Sequence, residues 1–209
     1  MQIVIIVEAY CQMVKTVNLS SHANNQLNYI KAILSRTKDT TKSSIKAAAV
    51  MIILTAINEQ LYILFTHRTD IVSTHKDQVS FPGGLQELND KYLIQTAIRE
   101  TEEEIGISIN RKEIFGNLPE QRSISGFQIH PFVCYSEKLQ DININQAEVK
   151  HTFTISMDWI MDHKNWSFKT YKSPDGKERQ VVFFQEYENE IIWGITGQIL
   201  VSFANLLLW

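Results

Sequence analysis

The sequence predicts an α/β/α sandwich built around a mixed β-sheet. Two observations carry this. Short apolar or alternating runs of strand length recur along the chain, each bounded by turn residues. Between and around them lie a few segments with helical periodicity, so strands and helices are interleaved rather than segregated.

The elements follow in order. Asn25 to Arg36 reads as an amphipathic helix with Leu27, Ile30, Ile33 and Leu34 on one face. A polar Thr/Lys/Ser link follows. Ala47 to Leu54 is continuously apolar, as a strand buried on both faces would be. Asn58-Glu59-Gln60 is a turn, and Leu61 to Thr66 a second strand. A helix runs from about Lys91 to Glu104, with Asp90 placed as its N-cap. Phe127 to Tyr135 is strand-like, and Pro131 predicts an edge position or a bulge. Val149 to Ile155 alternates. Trp166 to Tyr171 and Val181 to Tyr187 flank Ser173-Pro174-Asp175-Gly176, which reads as a hairpin turn. Ile195 to Leu208 is an apolar helix expected to pack on the sheet. No internal repeat, low-complexity tract or domain linker interrupts this order.

With 209 residues, the chain can bury a single core. Residues 25–209 read as that domain, and 1–24 as an extension in which Ile3 to Val7 suits a weak strand or a leader. Met13 is an alternative start. The apolar run is too short to span a membrane and lacks a basic flank. A net charge of −3 argues against a nucleic-acid binder that works through a basic surface. Two cysteines, Cys11 and Cys134, make neither a disulfide framework nor a zinc site, and read as free thiols in a reducing, cytoplasmic setting.

The chemistry concentrates between Phe81 and Ile107. A Gly83-Gly84 turn precedes the helix that carries Arg99, Glu100, Glu103 and Glu104. The three glutamates stand at i, i+3 and i+4 and so share one face. Ile94, Ala97, Ile98, Thr101 and Ile105 form an apolar stripe, with the carboxylates expected on the side away from it. Clustered carboxylates repel one another unless a cation neutralises them, and an all-oxygen set suits Mg²⁺ or Mn²⁺. A Glu-rich helix face is also what ordinary solvated surface looks like.

The fixed offsets favour the first reading. Gly83-Gly84, Arg99-Glu100, Glu103-Glu104 and Gly106-Ile107 resemble the Nudix box, G-x5-E-x7-R-E-U-x-E-E-x-G-U with U aliphatic. One extra residue separates Gly84 from Arg99, Asp90 stands at the first Glu position counted from Gly84, and Thr101 occupies an aliphatic position. The longer loop with an acidic residue is similar to the coenzyme A diphosphatase branch. Leu64, Thr66, Arg68 and Phe81-Pro82-Gly83-Gly84 match that branch's second signature. Ser73 and Asp77 depart from it, standing where an arginine and a glycine are usual. Leu118-Pro119, Asn145-x-x-Glu148-Val149 and Ile192-Trp193-Gly194 resemble the same branch.

The resemblance implies the Nudix fold and hydrolysis of a diphosphate bond. Glu100, Glu103 and Glu104 are the expected metal ligands, with the Gly84 carbonyl as an addition. Catalytic candidates are Glu103, Glu148, Asp90 and Arg99, the last as a residue that orients a glutamate. Asp90 serves equally as a helix cap, and Glu148 as an ordinary loop carboxylate. Arg68, His75, Gln78 and Gly83 are candidates for holding substrate, and Trp193 is a core anchor in preference to a base-stacking platform. The expected partner is a small coenzyme A-like nucleotide, with no nucleic acid or membrane involved; a homodimer is allowed. Coenzyme A or an acyl derivative would give 3′,5′-ADP and a 4′-phosphopantetheine. ADP-ribose, NADH or a dinucleoside polyphosphate is the alternative, and a non-catalytic nucleotide-binding module is the alternative of another class.

Overall fold

A computed structural model describes residues 21–35, 46–70, 78–172 and 176–207. The expectations for Ile3 to Val7, for Cys11, for Ser73, His75 and Asp77, and for the Ser173–Asp175 part of the turn lie outside these residues.

The chain builds a mixed sheet from β1 (Ala47–Ile57), β2 (Gln60–Arg68), β3 (Val79–Ser80), β4 (Gly83–Leu85), β5 (Ile114–Asn117), β6 (Gln121–Arg122), β7 (Gln128–Tyr135) and β8 (Val149–Ser156). β1 lies at its centre. It pairs in parallel with β7 on one side and antiparallel with β2 on the other. β4 pairs with the N-terminal half of β1, from Ala48 to Val50, where β2 has not yet begun to pair. β8 extends the sheet beyond β2. β9 (Trp166–Lys172) and β10 (Glu178–Phe184) form a separate antiparallel pair.

Alternation along β1 divides the core in two. Ile52 and Leu54 face one layer, with Leu27, Ile30 and Leu34 of α1 (Ser21–Leu34) and Ile199, Leu200 and Phe203. Those three belong to the last helix, which also meets Val182 and Phe184 of β10. Ala49, Met51 and Ile53 face the other layer, with Leu93, Ile94, Ala97 and Ile105 of α2 (Leu93–Ile105). A five-residue helix, α3 (Met157–Met161), and the apolar α4 (Gly194–Leu207) complete the chain. Helices therefore cover both faces of the sheet, as the predicted sandwich requires.

Three expectations need correction. Asp90 is not the N-cap of α2. That position is Tyr92, whose N–H donates to the Gln95 side chain at 3.1 Å, while the Asp90 carboxylate accepts from the α2 side chains Thr96 and Arg99 and from Glu87 N–H instead of capping the helix. Pro131 sits on neither an edge nor a bulge of its own. β7 pairs with β1 throughout, and on its other side Leu118 N–H reaches Pro131 O at the gap between β5 and β6. A proline is tolerated there because that side has no continuous ladder to break. Glu104 does not point away from the apolar stripe. It stands only about 20° round the helix from Ala97, and it is 1 % exposed.

Candidate active site

The site forms where β4, α2 and the loop before β8 meet. Gly83 and Gly84 run antiparallel to β1 at Val50 and Ala49. Gly83 has φ 155°, and a side chain there would strike the Ala49 carbonyl and lie 2.6 Å from Val50 Cα. Only glycine fits that backbone so tightly against β1. Gly84 has a different reason to be bare. A Cβ on it would lie 2.5 Å from the Glu100 carboxylate.

α2 then presents its acids. Its buried side includes Thr101, whose hydroxyl donates to Ala97 O at 2.7 Å and so satisfies itself within the helix. This explains how a threonine replaces the usual aliphatic. Gly106, at φ 74°, ends the helix and donates to Glu102 O at 2.9 Å. The incoming loop closes the same end: Asn143 N–H donates to Ile105 O and Asn145 N–H to Glu104 O, each at 2.9 Å. That loop carries Glu148.

Glu104 is the most buried acid of the group. Its Oε1 accepts from Arg68 Nη1 at 3.1 Å and its Oε2 from Gly83 N–H at 3.2 Å. Burial pushes its pKa up to about 7, with the Glu100 and Glu148 charges adding to the push and Arg68 opposing it. Burial also raises Glu100, against the attraction of Arg99. Glu148 accepts from Asn145 Nδ2 at 3.1 Å. Its charge reaches both Glu100 and Glu104, so the three acids share one field.

Arg99 ties the surrounding groups together. Its Nη1 meets Glu100 at 2.9 Å and Glu103 at 2.8 Å, while Nη2 meets Asp90 at 3.0 Å and donates to Leu85 O at 3.1 Å. Asp90 also accepts from Glu87 N–H and Thr96 Oγ1, each at 3.0 Å. Burial would raise the Asp90 carboxyl, but these three donors outweigh it and hold its pKa below the ordinary value. Glu87 lies at the margin, 3.8 Å from Arg99 and largely exposed.

The fold thus brings together Arg68, Gly83, Gly84, Asp90, Arg99, Glu100, Glu103, Glu104 and Glu148 from the sequence-based set. Gln78 adjoins them, accepting from Arg68 N–H at 3.0 Å. Arg68 is committed to Glu104, and its buried Nε has no partner among the described residues. Trp193 stacks on Phe183 at 5.5 Å. The sequence reading missed Thr96 and the part of Asn145 as a donor to Glu148. Thr96 shows no signal in spacing, because its contact runs back across a loop to Asp90. Asn145 was visible only as part of the pattern ending at Glu148.

The fold and site define an α/β/α sandwich that sets a carboxylate-rich helix behind a Gly-Gly turn, a donor set of oxygens suited to a divalent ion. The family model for the NUDIX domain matches residues 45–167, and the chain belongs to this family. It is 30% identical over 143 residues to an uncharacterized Nudix hydrolase NudL of Photorhabdus laumondii, covering 68% of this chain and 75% of that one. Against an uncharacterized Nudix hydrolase NudL of Yersinia pestis the identity is 34% over 146 residues, covering 68% and 71%. Among solved structures, a MutT/nudix family protein from Enterococcus faecalis superposes with a TM-score of 0.57 at 13% identity, covering 93% of this chain and 76% of that one. The protein is a Nudix hydrolase.

Proposed function

We propose that this hydrolase cleaves the diphosphate bond of coenzyme A or an acyl-coenzyme A, giving 3′,5′-ADP and the corresponding 4′-phosphopantetheine. The convergence of Glu100, Glu104 and Glu148 beside a glycine with no room for a side chain carries the catalytic part of this reading.

The residues fit Mg²⁺ or Mn²⁺. The donor set is all oxygen, and the space that a Gly84 Cβ would fill opens onto the Glu100 carboxylate. Glu100, Glu103 and Glu104, with the Gly84 carbonyl, would hold the ions. Bound divalent ions supply neutralisation of the diphosphate charge and make water more acidic. The protein's own groups do the rest. Arg68 and Gly83 N–H fix both oxygens of Glu104. Arg99 fixes Glu100 and Glu103, and is itself aimed by Asp90. Asp90 is therefore assigned to positioning rather than proton transfer. Glu148, anchored through one oxygen by Asn145, takes the proton of the attacking water. The water oxygen bonds to one phosphorus, and the bridging oxygen leaves with the electron pair of the broken anhydride bond.

Support for the substrate comes from Leu64, Thr66, Arg68 and the Phe81–Gly84 run at the spacing of the coenzyme A branch. Ser73 and Asp77 favour a second reading, in which ADP-ribose, NADH or a dinucleoside polyphosphate is cleaved by the same residues. A panel of these compounds with Mg²⁺ or Mn²⁺, with products identified by mass, separates the two. Release of 3′,5′-ADP with the highest kcat/KM on coenzyme A species supports the first. A higher kcat/KM on another nucleotide supports the second and assigns the change to Ser73 and Asp77.

A further inference from the structure

We propose that His67, His151 and Glu190 form a second metal site, one that takes Zn²⁺ or a similar imidazole-preferring divalent ion. His67 Nδ1 lies 2.7 Å from one oxygen of Glu190 and His151 Nε2 lies 2.7 Å from the other. The three ligand atoms all lie within 4.8 Å of one another. A tetrahedral zinc ion with bonds of about 2.1 Å holds its ligand atoms about 3.4 Å apart, so small side-chain movements suffice. Two imidazoles and one carboxylate are a set that binds zinc and leaves a position open.

Several features hold these three residues in place. His67 and His151 are direct partners across β2 and β8, with ring centroids 4.9 Å apart. The Phe65–Phe153 pair, stacked at 5.6 Å, lies behind them on the same face. Glu190 comes from a tight turn in which Glu188 (φ 51°) and Asn189 (φ 69°) are both left-handed. Tyr187 and Glu190 exchange backbone hydrogen bonds at 2.9 Å in both directions. Tyr187 packs edge-on against Trp159 at 5.0 Å, which seats the turn. Two adjacent non-glycine residues at positive φ carry a conformational cost. Here that cost delivers an 11 % exposed acidic side chain onto two histidines. His151 is 42 % exposed, which leaves an ion a route in from solvent.

The site is separate from the carboxylate cluster in both position and chemistry. Leu64 packs in the α2 layer and Phe65 in the other, so alternation carries His67 to the Phe65 side. Arg68 reaches Glu104 on the α2 side, while His67 faces the layer that holds Phe65 and Phe153. Oxygen-only ligands suit Mg²⁺ or Mn²⁺, and imidazoles favour Zn²⁺. A bound ion would clamp β2, β8 and the 187–190 turn at the end of β2 from which Arg68 extends.

The test uses tag-free full-length protein stripped with EDTA and titrated with Zn²⁺ in millimolar Mg²⁺, against a chromophoric chelator. Co²⁺ provides a second readout through its visible absorption. Wild type and E100Q are expected to take up about one equivalent of Zn²⁺, with affinity lowered at least about tenfold in H151A and E190Q. The Co²⁺ spectrum should change in the same two variants. Far-UV circular dichroism checks the fold of E190Q, and H151A, at a half-exposed position, keeps the test decisive if E190Q fails to fold. Absence of Zn²⁺ binding by wild type overturns the proposal. So does equal binding by H151A, or binding lost in E100Q and kept in H151A.

Discussion

The two faces at the end of strand β2 hold two clusters that differ in how they are made. On the α2 side, Glu100, Glu103 and Glu104 come from consecutive turns of one helix, and Arg99 of the same helix pairs with the first two. On the other side, His67, His151 and Glu190 come from two strands and a turn, and no two are close in sequence. The first cluster is local in sequence and strained by like charge. The second is assembled only by folding, and its carboxylate is matched by two nitrogens. The difference teaches that a site's legibility follows the sequence distance between its parts rather than the quality of its geometry.

The largest expected effect separates the clusters outright. Glu100→Gln or Glu104→Gln removes a charge from the acid set. Because even groups that only orient metal ligands are worth about 10- to 100-fold, each should lower kcat with Mg²⁺ by at least about 100-fold. Steady-state kinetics on the preferred substrate checks this. A loss within about twofold would show that these acids hold no metal.

The same contrast explains what the sequence revealed. The strands of the sheet were legible because Ala47 to Leu54, Leu61 to Thr66 and Val149 to Ile155 carry their own apolar patterns. The box was legible because Arg99, Glu100, Glu103 and Glu104 have fixed offsets on a helix. The burial of Glu104 was not, because it depends on where β4 crosses β1 and on Arg68 arriving from β2. The capping error at Asp90 has a related cause. A short acid just before a helix suits an N-cap, yet Arg99 and Thr96 compete for the same oxygens and win. Pro131 misled because a gap in the outer neighbour was invisible until β5 and β6 were placed. The histidine cluster offered no spacing at all.

Gly83 and Gly84 sharpen the comparison on the acid side, since one shapes backbone and the other faces a carboxylate. Gly83→Ala puts a Cβ into β1 at a φ that L-residues rarely adopt, and should lower stability by about 1–3 kcal/mol. Gly84→Ala meets the Glu100 carboxylate before anything else, and should cut kcat about tenfold or more with a smaller change in Tm. Thermal unfolding and kinetics on both variants decide this. Equal loss of Tm in the two would place Gly84 with the fold rather than the site.

Asp90 gives a smaller effect with a pH signature. Asp90→Asn removes the charge that holds Arg99 and should lower stability by about 1–2 kcal/mol at pH 7. The folded state holds this carboxyl below its ordinary value of 3.8. Its contribution is therefore complete above that value and is lost as pH falls through the lower folded value. Urea unfolding of wild type and D90N should show a gap at pH 7 that closes in strong acid. A gap that stays constant with pH would assign the loss to shape rather than charge.

The smallest expected effect tests the histidine side. His151→Ala removes one nitrogen from Glu190 at a half-exposed position and leaves His67 in place. With zinc excluded by EDTA and Mg²⁺ in excess, the stability cost should stay below about 1 kcal/mol, the scale of a single exposed hydrogen-bonded pair. Mg²⁺-dependent kcat should remain within about twofold, because among the described residues His151 pairs with Glu190 and not with Glu100, Glu104 or Glu148. Added Zn²⁺ should raise the Tm of wild type and raise that of H151A by less, since an ion that binds only the folded state stabilises it by mass action. If H151A instead lost turnover as severely as E104Q, the two clusters would be one machine, and the division between local and assembled sites on the two faces of β2 would fail.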